Sequence, residues 1–165
     1  MIADVIIRPE EPADLSAIHA VVEAAFPTSA EARLVDRLRV DRDSEISLVA
    51  VDDAVIVGHV LFSRMTAGLR ALGLGPVAVS PDRQRSGVGS LLIRRGLAHA
   101  EADGWEIVFV LGDPAYYRRF GFDPALARGF TSPYAGPHFM ALGLASVLPG
   151  LSGKVNYAAA FAALG

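Results

Sequence analysis

Cysteine is absent from this 165-residue chain, which removes disulfides, thiolate metal ligands and any acyl-cysteine intermediate at once. No apolar run approaches the ~20 residues that a membrane helix needs. The start, Met1-Ile2-Ala3-Asp4, has no basic stretch ahead of a long apolar one, as a secretion signal would. These absences predict a soluble, unexported, cytoplasmic protein with neither a membrane partner nor a metal. There is no internal repeat, linker or low-complexity tail. Positive charge is in deficit, with 15 basic against 18 acidic residues and a net charge of −3, which argues against general nucleic-acid binding.

Apolar residues are plentiful. At 52% hydrophobic composition the chain can bury a real core, and its length predicts one domain over residues 1–165. Charge is unevenly spread: residues 1–53 carry 12 of the 18 acidic residues but 5 of the 15 basic ones. Arg83, Arg85, Arg94, Arg95, Arg118 and Arg119 gather in the second half. Such a cluster suits a polyanionic ligand, and equally suits solvated helix faces.

Between Ser80 and Ser90 the chain reads Ser-Pro-Asp-Arg-Gln-Arg-Ser-Gly-Val-Gly-Ser. An apolar run, Leu72 to Val79, precedes it, and a helical pattern, Leu91 to Ala102, follows. Gly87 and Gly89 remove side chains that would hold a ligand off the backbone. The helix start supplies unpaired N–H groups and the positive end of its dipole. The segment Gln84, Arg85, Ser86, Gly87, Val88, Gly89, Ser90 is therefore a cradle for phosphate or pyrophosphate. A nucleoside-triphosphate loop needs Lys-Ser or Lys-Thr after its last glycine, and here Ser90-Leu91 follows Gly89. The dinucleotide fingerprint, counted from Gly87, needs a third small residue where Leu92 stands. Gly73-Leu74-Gly75-Pro76-Val77-Ala78 fits that fingerprint formally, but Pro76 and Val77 continue a strand instead of opening a helix.

Gln84-x-x-Gly87-x-Gly89, between strand and helix, resembles motif A of the GNAT N-acetyltransferase superfamily, where the pyrophosphate belongs to acetyl-CoA. Leu111 to Phe122, with Tyr117 four residues before Gly121-Phe122, resembles the family's motif B. The similarity covers most of residues 4–122, and the residues after Phe122 are most similar to the YhbS-like branch. The resemblance implies an α+β fold: a mixed, mostly antiparallel central sheet with flanking helices and one splayed parallel strand pair. It further implies acetyl-CoA as co-substrate, an amine acceptor that is a small molecule or a peptide, and homodimers as a frequent assembly.

Periodicity places the elements. Val5 to Arg8 reads as a strand, and Glu11 to Asp14 opens a helix with Leu15, Ile18, Val22 and Phe26 on one stripe. Thr28 to Glu31 has capping-box spacing before a second helix that buries Leu34, Val35 and Leu38. Ile46 to Val51 and Ala54 to Met65 pair as a hairpin about Asp52-Asp53, with a bulge expected at Gly58. Gly104 ends the cradle helix, and Trp105 to Leu111 is a strand buried on both faces. Asp113 and Pro114 start a short helix that stops at Gly121. The strands before and after the cradle helix must then run parallel through a right-handed crossover. Beyond Phe122 a long loop is expected, then a strand over His138 to Leu144 and another over Val155 to Tyr157. Ala158 to Leu164 reads as a docked helix or a frayed end.

Acyl transfer from a thioester to an amine makes three demands. The carbonyl oxygen gains negative charge, which a free strand N–H can stabilise; the Val77 amide is the candidate. By resemblance, Val77 and Val79 also hold the pantetheine arm through their backbones. The leaving thiolate needs a proton or a hydrogen bond, and the matching family position is Tyr117, a phenol with a reference pKa near 10. Tyr116 reads as a packing residue. The family frequently carries Asn at the end of the second splayed strand; Gly112-Asp113 stands there instead. The amine must also lose a proton, for which Glu31 and His138 are candidates, each with a structural reading beside it. Glu31 also fits the capping box, and a lone His is commonly structural. His19 and His59 have no special claim.

Without Cys or a Ser or His in a nucleophile motif, the acyl group must pass directly to the amine in a ternary complex. Two other classes compete with an enzyme: an acyl-CoA-binding sensor without turnover, and a nucleotide-binding protein, which the missing lysine and third glycine disfavour.

Overall fold

A computed structural model describes residues 4–144 and 152–164; residues 1–3, 145–151 and 165 of the domain expected over 1–165 lie outside the described residues. In chain order the elements are β1 (Ile6–Pro9), α1 (Leu15–Ala25), α2 (Ala30–Val40), β2 (Ser44–Asp52), β3 (Val55–Met65), β4 (Ala71–Val79), α3 (Val88–Ala102), β5 (Ile107–Leu111), α4 (Pro114–Tyr117), α5 (Pro124–Ala127), β6 (Phe130–Thr131), β7 (Phe139–Gly143) and β8 (Gly153–Lys154), with a closing 3-10 helix over Ala159–Leu164. Six strands form one sheet in the order β1-β2-β3-β4-β5-β7, and β6 pairs with β8 beside it. Within the six-stranded sheet β4 and β5 are parallel and every other pair is antiparallel. The mixed α+β sheet with a parallel pair therefore stands as expected. No helix among the described residues is long and apolar enough to cross a membrane.

Strand alternation makes the layers. On β2 and β3, Leu48, Ala50, Val60 and Phe62 face α3 and pack with Leu92 and Ile93. The intervening Val49 and Leu61 face the other way, onto Ile18, Val21 and Val22 of α1 and Leu34, Val35 and Leu38 of α2. This period of two is what puts one helix on one face and two on the other. β5 is buried on both faces, with Val108 and Val110 on the α3 side and Ile107 and Phe109 in a third cluster with Phe130 and Phe139. Gly58 lets α3 approach β3, because a Cβ there would stand 3.0 Å from Leu92 Cδ1.

Several boundaries differ from expectation for local reasons. The α1 stripe is Ile18, Val21 and Val22, while Leu15 is exposed at the helix start and Phe26 lies past its end. Pro27 accounts for Phe26: a residue before proline is driven out of the helical region, and Phe26 is extended at φ −121°. The hairpin turn carries positive φ at Asp53 and Ala54, one residue later than read, as a type I′ turn requires. The bulge opposite Ala50 and Val51 passes over Val57, beside Gly58. α3 begins at Val88 rather than Leu91. The expected loop after Phe122 contains α5, capped by Asp123 on the Ala125 N–H at 2.8 Å, the same Asp-Pro device that starts α4. Val155 is buried and Asn156 bridges Thr66, but the late strand is Gly153–Lys154. The C-terminal residues dock against α2.

His59 sits fully buried on β3, with Nε2 2.7 Å from Ser47 Oγ. Ser47 donates its one proton to Glu10, so its oxygen accepts from Nε2–H, and Nδ1 is left without a partner among the described residues. Arg39 clasps Glu10 at 2.9 and 3.0 Å. Burial holds the His59 pKa down at about 4, against 6.5 in an unfolded chain. The unfolded chain thus takes up a proton first as pH falls, and folding stability is lost from pH 6.5 downward. At 1.36 kcal/mol per pKa unit the loss reaches about 3 kcal/mol by pH 4, a large share of the usual 5–15 kcal/mol. Glu10, whose pKa hydrogen bonds from Arg39 and Ser47 lower against the opposing effect of its burial, pulls the same way. Urea unfolding at pH 7 and pH 4 is expected to show this loss in the wild type and a clearly smaller one in His59→Leu; equal losses would assign the acid sensitivity elsewhere.

Candidate active site

The site begins where β4 leaves β5. The two strands pair only over Ala71, Leu72 and Gly73, although β4 continues to Val79. At the point of parting, Gly75 and Pro76 stand opposite the single residue Leu61. This bulge bends the strand, and Gly75 supplies its φ of +139°, a conformation open to glycine. A proline within a strand is itself a mark of a bulge or an edge, and Gly75-Pro76 was the signal for this one.

Beyond the bulge the β3 pairing fixes where β4 points. Ser80 N–H donates to Val57 O at 2.9 Å, so Ser80 and Val57 are a hydrogen-bonded pair. Antiparallel alternation then turns the N–H and C=O groups of Val79 and Val77 away from β3 and toward the gap. Val79 O accepts from Gln84 Nε2 at 3.1 Å, in keeping with that direction. The Val77 amide is thus an open strand amide rather than one side of a ladder.

The Gly87-x-Gly89 loop, the candidate phosphate cradle, closes one end of the gap. Gly87 takes φ +94° and Arg85 φ +64°, which turns successive N–H groups inward. The first helical bond of α3 is Leu91 N–H to Gly87 O at 3.0 Å. The N–H groups of residues 87–90 donate to no backbone acceptor among the described residues. Arg83, Gln84, Arg85, Gly87, Val88, Gly89 and Ser90 border a depression of about 330 Å³ with Val79, Tyr116 and Arg119. The Val88 side chain is core, and Gln84 and Ser86 spend their side chains on Val79 O and Arg83 O. These three offer backbone, not side chain. Of the six clustered arginines, Arg83, Arg85 and Arg119 border the cradle, Arg83 with its guanidinium paired to Asp52, while Arg94 lies over Phe120, and Arg95 and Arg118 are solvated.

Tyr116 was read as packing, yet its hydroxyl stands 3.4 Å from Ser90 Oγ. A Cβ on Gly89 would meet that hydroxyl at 3.4 Å. Arg119 stacks on the ring at 4.5 Å and donates to Tyr116 O at 2.9 Å. No local signal separated Tyr116 from Tyr117; their rings meet edge to face at 5.0 Å, with Tyr116 bordering the cradle and Tyr117 the neighbouring cavity.

Tyr117 faces a cavity of about 350 Å³ at the other end. Leu74 to Val77 of β4 and Leu111 of β5 form its floor. Burial pushes the Tyr117 pKa up to about 12, so the phenol keeps its proton at neutral pH. Gly112 makes room for the ring: a Cβ there would fall 2.5 Å from Tyr117 Cε2. Glu31 borders the same cavity. Its capping box does not close: the helix begins one residue later than that box needs, with Ser29 at the N-cap, and Thr28 Oγ1 accepts from Ala30 N–H at 3.3 Å instead of from Glu31 N–H. One Glu31 oxygen, Oε1, is buried with no partner among the described residues. His138 is exposed and outside the cavity wall, with Nδ1 3.1 Å from Gly112 O. That contact is structural. His19 pairs with Asp36 on the surface at 2.9 Å.

A family model for the GNAT acetyltransferase domain matches residues 6–125. The chain belongs to the GNAT acetyltransferase family. Among its relatives is the uncharacterized N-acetyltransferase YhbS of Escherichia coli K12, 35% identical over 92% of this chain and 95% of the relative. The uncharacterized N-acetyltransferase YjhQ of the same strain is 41% identical over 75% of this chain and 73% of its own length. The crystal structure of Escherichia coli YhbS in complex with CoA superposes with a TM-score of 0.90, covering 96% of this chain and 92% of that one. A GNAT family acetyltransferase from Brucella melitensis in complex with acetyl-CoA is 38% identical, with a TM-score of 0.81 over 95% of this chain and 97% of that one. This GNAT chain is accordingly an acetyltransferase, and its neighbours of known structure hold CoA and acetyl-CoA. The cradle fits that molecule on its own chemistry: a run of inward, unpaired N–H groups at a helix start suits a diphosphate.

Proposed function

We propose that this GNAT acetyltransferase moves the acetyl group of acetyl-CoA directly to an amine, the two substrates meeting at the parting of β4 and β5. The observation that carries the reading is the alignment along β4 of three things: the cradle, the open Val77 and Val79 backbone, and the Tyr117 cavity. In this reading the amides of Arg85 to Ser90 bind the diphosphate, and Gln84 staples the loop to the strand. Val79 and Val77 hold the pantetheine arm by backbone hydrogen bonds, and the Val77 N–H donates to the carbonyl oxygen as it gains charge. Tyr116 and Ser90 border the diphosphate with neutral donors.

The bond changes are those of a simple exchange. A nitrogen–carbon bond forms to the acetyl carbon, and the carbon–sulfur bond breaks with its electron pair going to sulfur. An ammonium gives up two protons in becoming an amide; one ends on sulfur and the other in solvent. Glu31 receives the first, directly or through water, and Tyr117 donates a hydrogen bond to sulfur. With no cysteine in the chain an acyl-cysteine is excluded, which supports direct attack over a ping-pong route.

Release of free thiol from acetyl-CoA is the deciding measurement. A panel of small amines and short peptides should include acceptors that raise release at least tenfold over hydrolysis. Tight CoA binding with no release across the panel would favour the alternative, a non-catalytic acyl-CoA sensor.

A further inference from the structure

The cavity beyond Tyr117 is apolar on nearly every side and anionic at one point. Phe26 at the end of α1 and Leu34 of α2 form one wall. The C-terminal segment forms a second one: Tyr134 and Tyr157 meet edge to face at 5.4 Å, and Tyr157 and Phe161 lie 4.9 Å apart. Leu164 of the closing 3-10 helix completes the wall. Burial raises the Tyr157 pKa, so the Tyr157 phenol stays uncharged across the physiological range. Glu31 is the one charged side chain in the lining among the described residues, and its buried Oε1 has no partner.

A buried carboxylate oxygen without a partner is costly, several times a surface contact, unless a ligand completes it. What completes it here must bring a positive charge or a donor, and must carry apolar surface for the rest of the cavity. We infer that the acceptor is a small primary amine on an aromatic or otherwise apolar body, its ammonium held by Glu31 and its body set against Phe26 and the Tyr134–Tyr157–Phe161 wall. The inference rests on the acetyl-transfer reading above and specifies its acceptor.

The geometry selects against other amine classes. A polyamine or an aminoglycoside would bring several charges or hydroxyls into a cavity that offers one carboxylate, and each unpaired group would be desolvated without return. Aromatic rings suit the wall by edge-to-face contact with Tyr157 and Phe161. The amine also lies on the correct side, because Val77 and Tyr117 border the same space as Glu31. Specificity would then come from residues in the first two helices and the last turn of the chain, outside the cradle.

The test uses the full chain with 2-phenylethylamine, spermidine and glycinamide as acceptors, following thiol release. The expected result is kcat/KM for 2-phenylethylamine at least tenfold above the other two. Glu31→Gln should lower it about 100-fold while the CoA Kd stays within twofold. Phe161→Ala should raise KM for 2-phenylethylamine about tenfold and leave kcat within threefold, a split that mere loss of folding would not give. A second measurement guards the charge assignment: with CoA bound, calorimetry should show 2-phenylethylamine binding at least tenfold tighter than the neutral 2-phenylethanol, and Glu31→Gln should erase the difference. Efficient acetylation of spermidine or glycinamide with 2-phenylethylamine ignored, or indifference of both binding and turnover to Glu31→Gln, would overturn the inference and leave acetyl transfer standing. Absence of CoA binding would instead reject the underlying reading.

Discussion

Gly89→Leu is expected to abolish CoA binding while leaving the fold at least as stable as the wild type. Gly89 lies in the first turn of α3 with no positive φ, so a side chain meets no backbone strain there. Leucine in place of a helical glycine stabilises by up to about 1 kcal/mol. The space around it is the ligand's: a Cβ would lie 3.4 Å from Tyr116 Oη and 3.7 Å from Val79 Cγ2, and a leucine's remaining carbons would fill the passage between helix and strand. The diphosphate would lose at least two charge-assisted bonds from the amides, roughly 3–6 kcal/mol or a factor of about 10²–10⁴ in Kd. Gly87→Val makes a paired test with the opposite stability signature. Gly87 is held at φ +94°, where an L side chain costs roughly 1–2 kcal/mol, so this variant should lose both stability and affinity. Thermal denaturation and calorimetry with CoA on the two variants separate the effects. Gly89→Leu with wild-type affinity would place the diphosphate somewhere other than this cradle.

The cradle was legible in the sequence because all its determinants are local. An apolar run, a Gly-x-Gly loop and a helix start follow one another without interruption, and the Asp-Pro starts and glycine stops around α4 are equally short-range. Tertiary contacts hid the rest. Thr28 to Glu31 has the spacing of a capping box, but the helix starts after Ser29 and Thr28 Oγ1 goes to Ala30 N–H, which leaves the carboxylate to the cavity. The device appears instead upstream, where Asp14 accepts from Glu11 N–H at 2.7 Å. Gly73 to Ala78 fits a nucleotide fingerprint in form only, yet its Gly75-Pro76 pair bulges β4 at the point where the gap on which the site depends opens. The aromatic wall was the least visible part. Tyr134, Tyr157 and Phe161 are spread over a segment of weak pattern, and they meet only because the last residues dock on α2 beside the sheet. A strand pattern reads one element at a time; a cavity between elements has no period.

Tyr117→Phe is expected to lower kcat by about 10- to 100-fold with the CoA Kd unchanged. The magnitude follows from the role. Burial sets the phenol at about 12, above a thiol's roughly 8.5–10, so complete transfer of the proton to sulfur would be uphill by about 3–5 kcal/mol. A hydrogen bond to the developing thiolate needs no such transfer and is worth about 1.5–3 kcal/mol as a charge-assisted contact. The ordinary phenol value near 10, used to argue for proton donation from sequence, therefore gives way to donation of a hydrogen bond, with solvent supplying the proton after the amide has formed. The pH dependence distinguishes the two. A group raised to about 12 stays protonated as pH rises, so kcat should show no fall between pH 8 and pH 10 in the wild type or in Tyr117→Phe. A descending limb near pH 9–10 that vanishes in Tyr117→Phe would restore the proton-transfer role. Gly112→Ala supplies the positional control: its Cβ would fall 2.5 Å from the Tyr117 ring, pushing the hydroxyl from its place without removing it. That variant should lower kcat in the same sense, because a hydrogen bond weakens steeply once its geometry is lost. An unchanged kcat in both variants would remove Tyr117 from the reaction and leave it as a wall of the cavity.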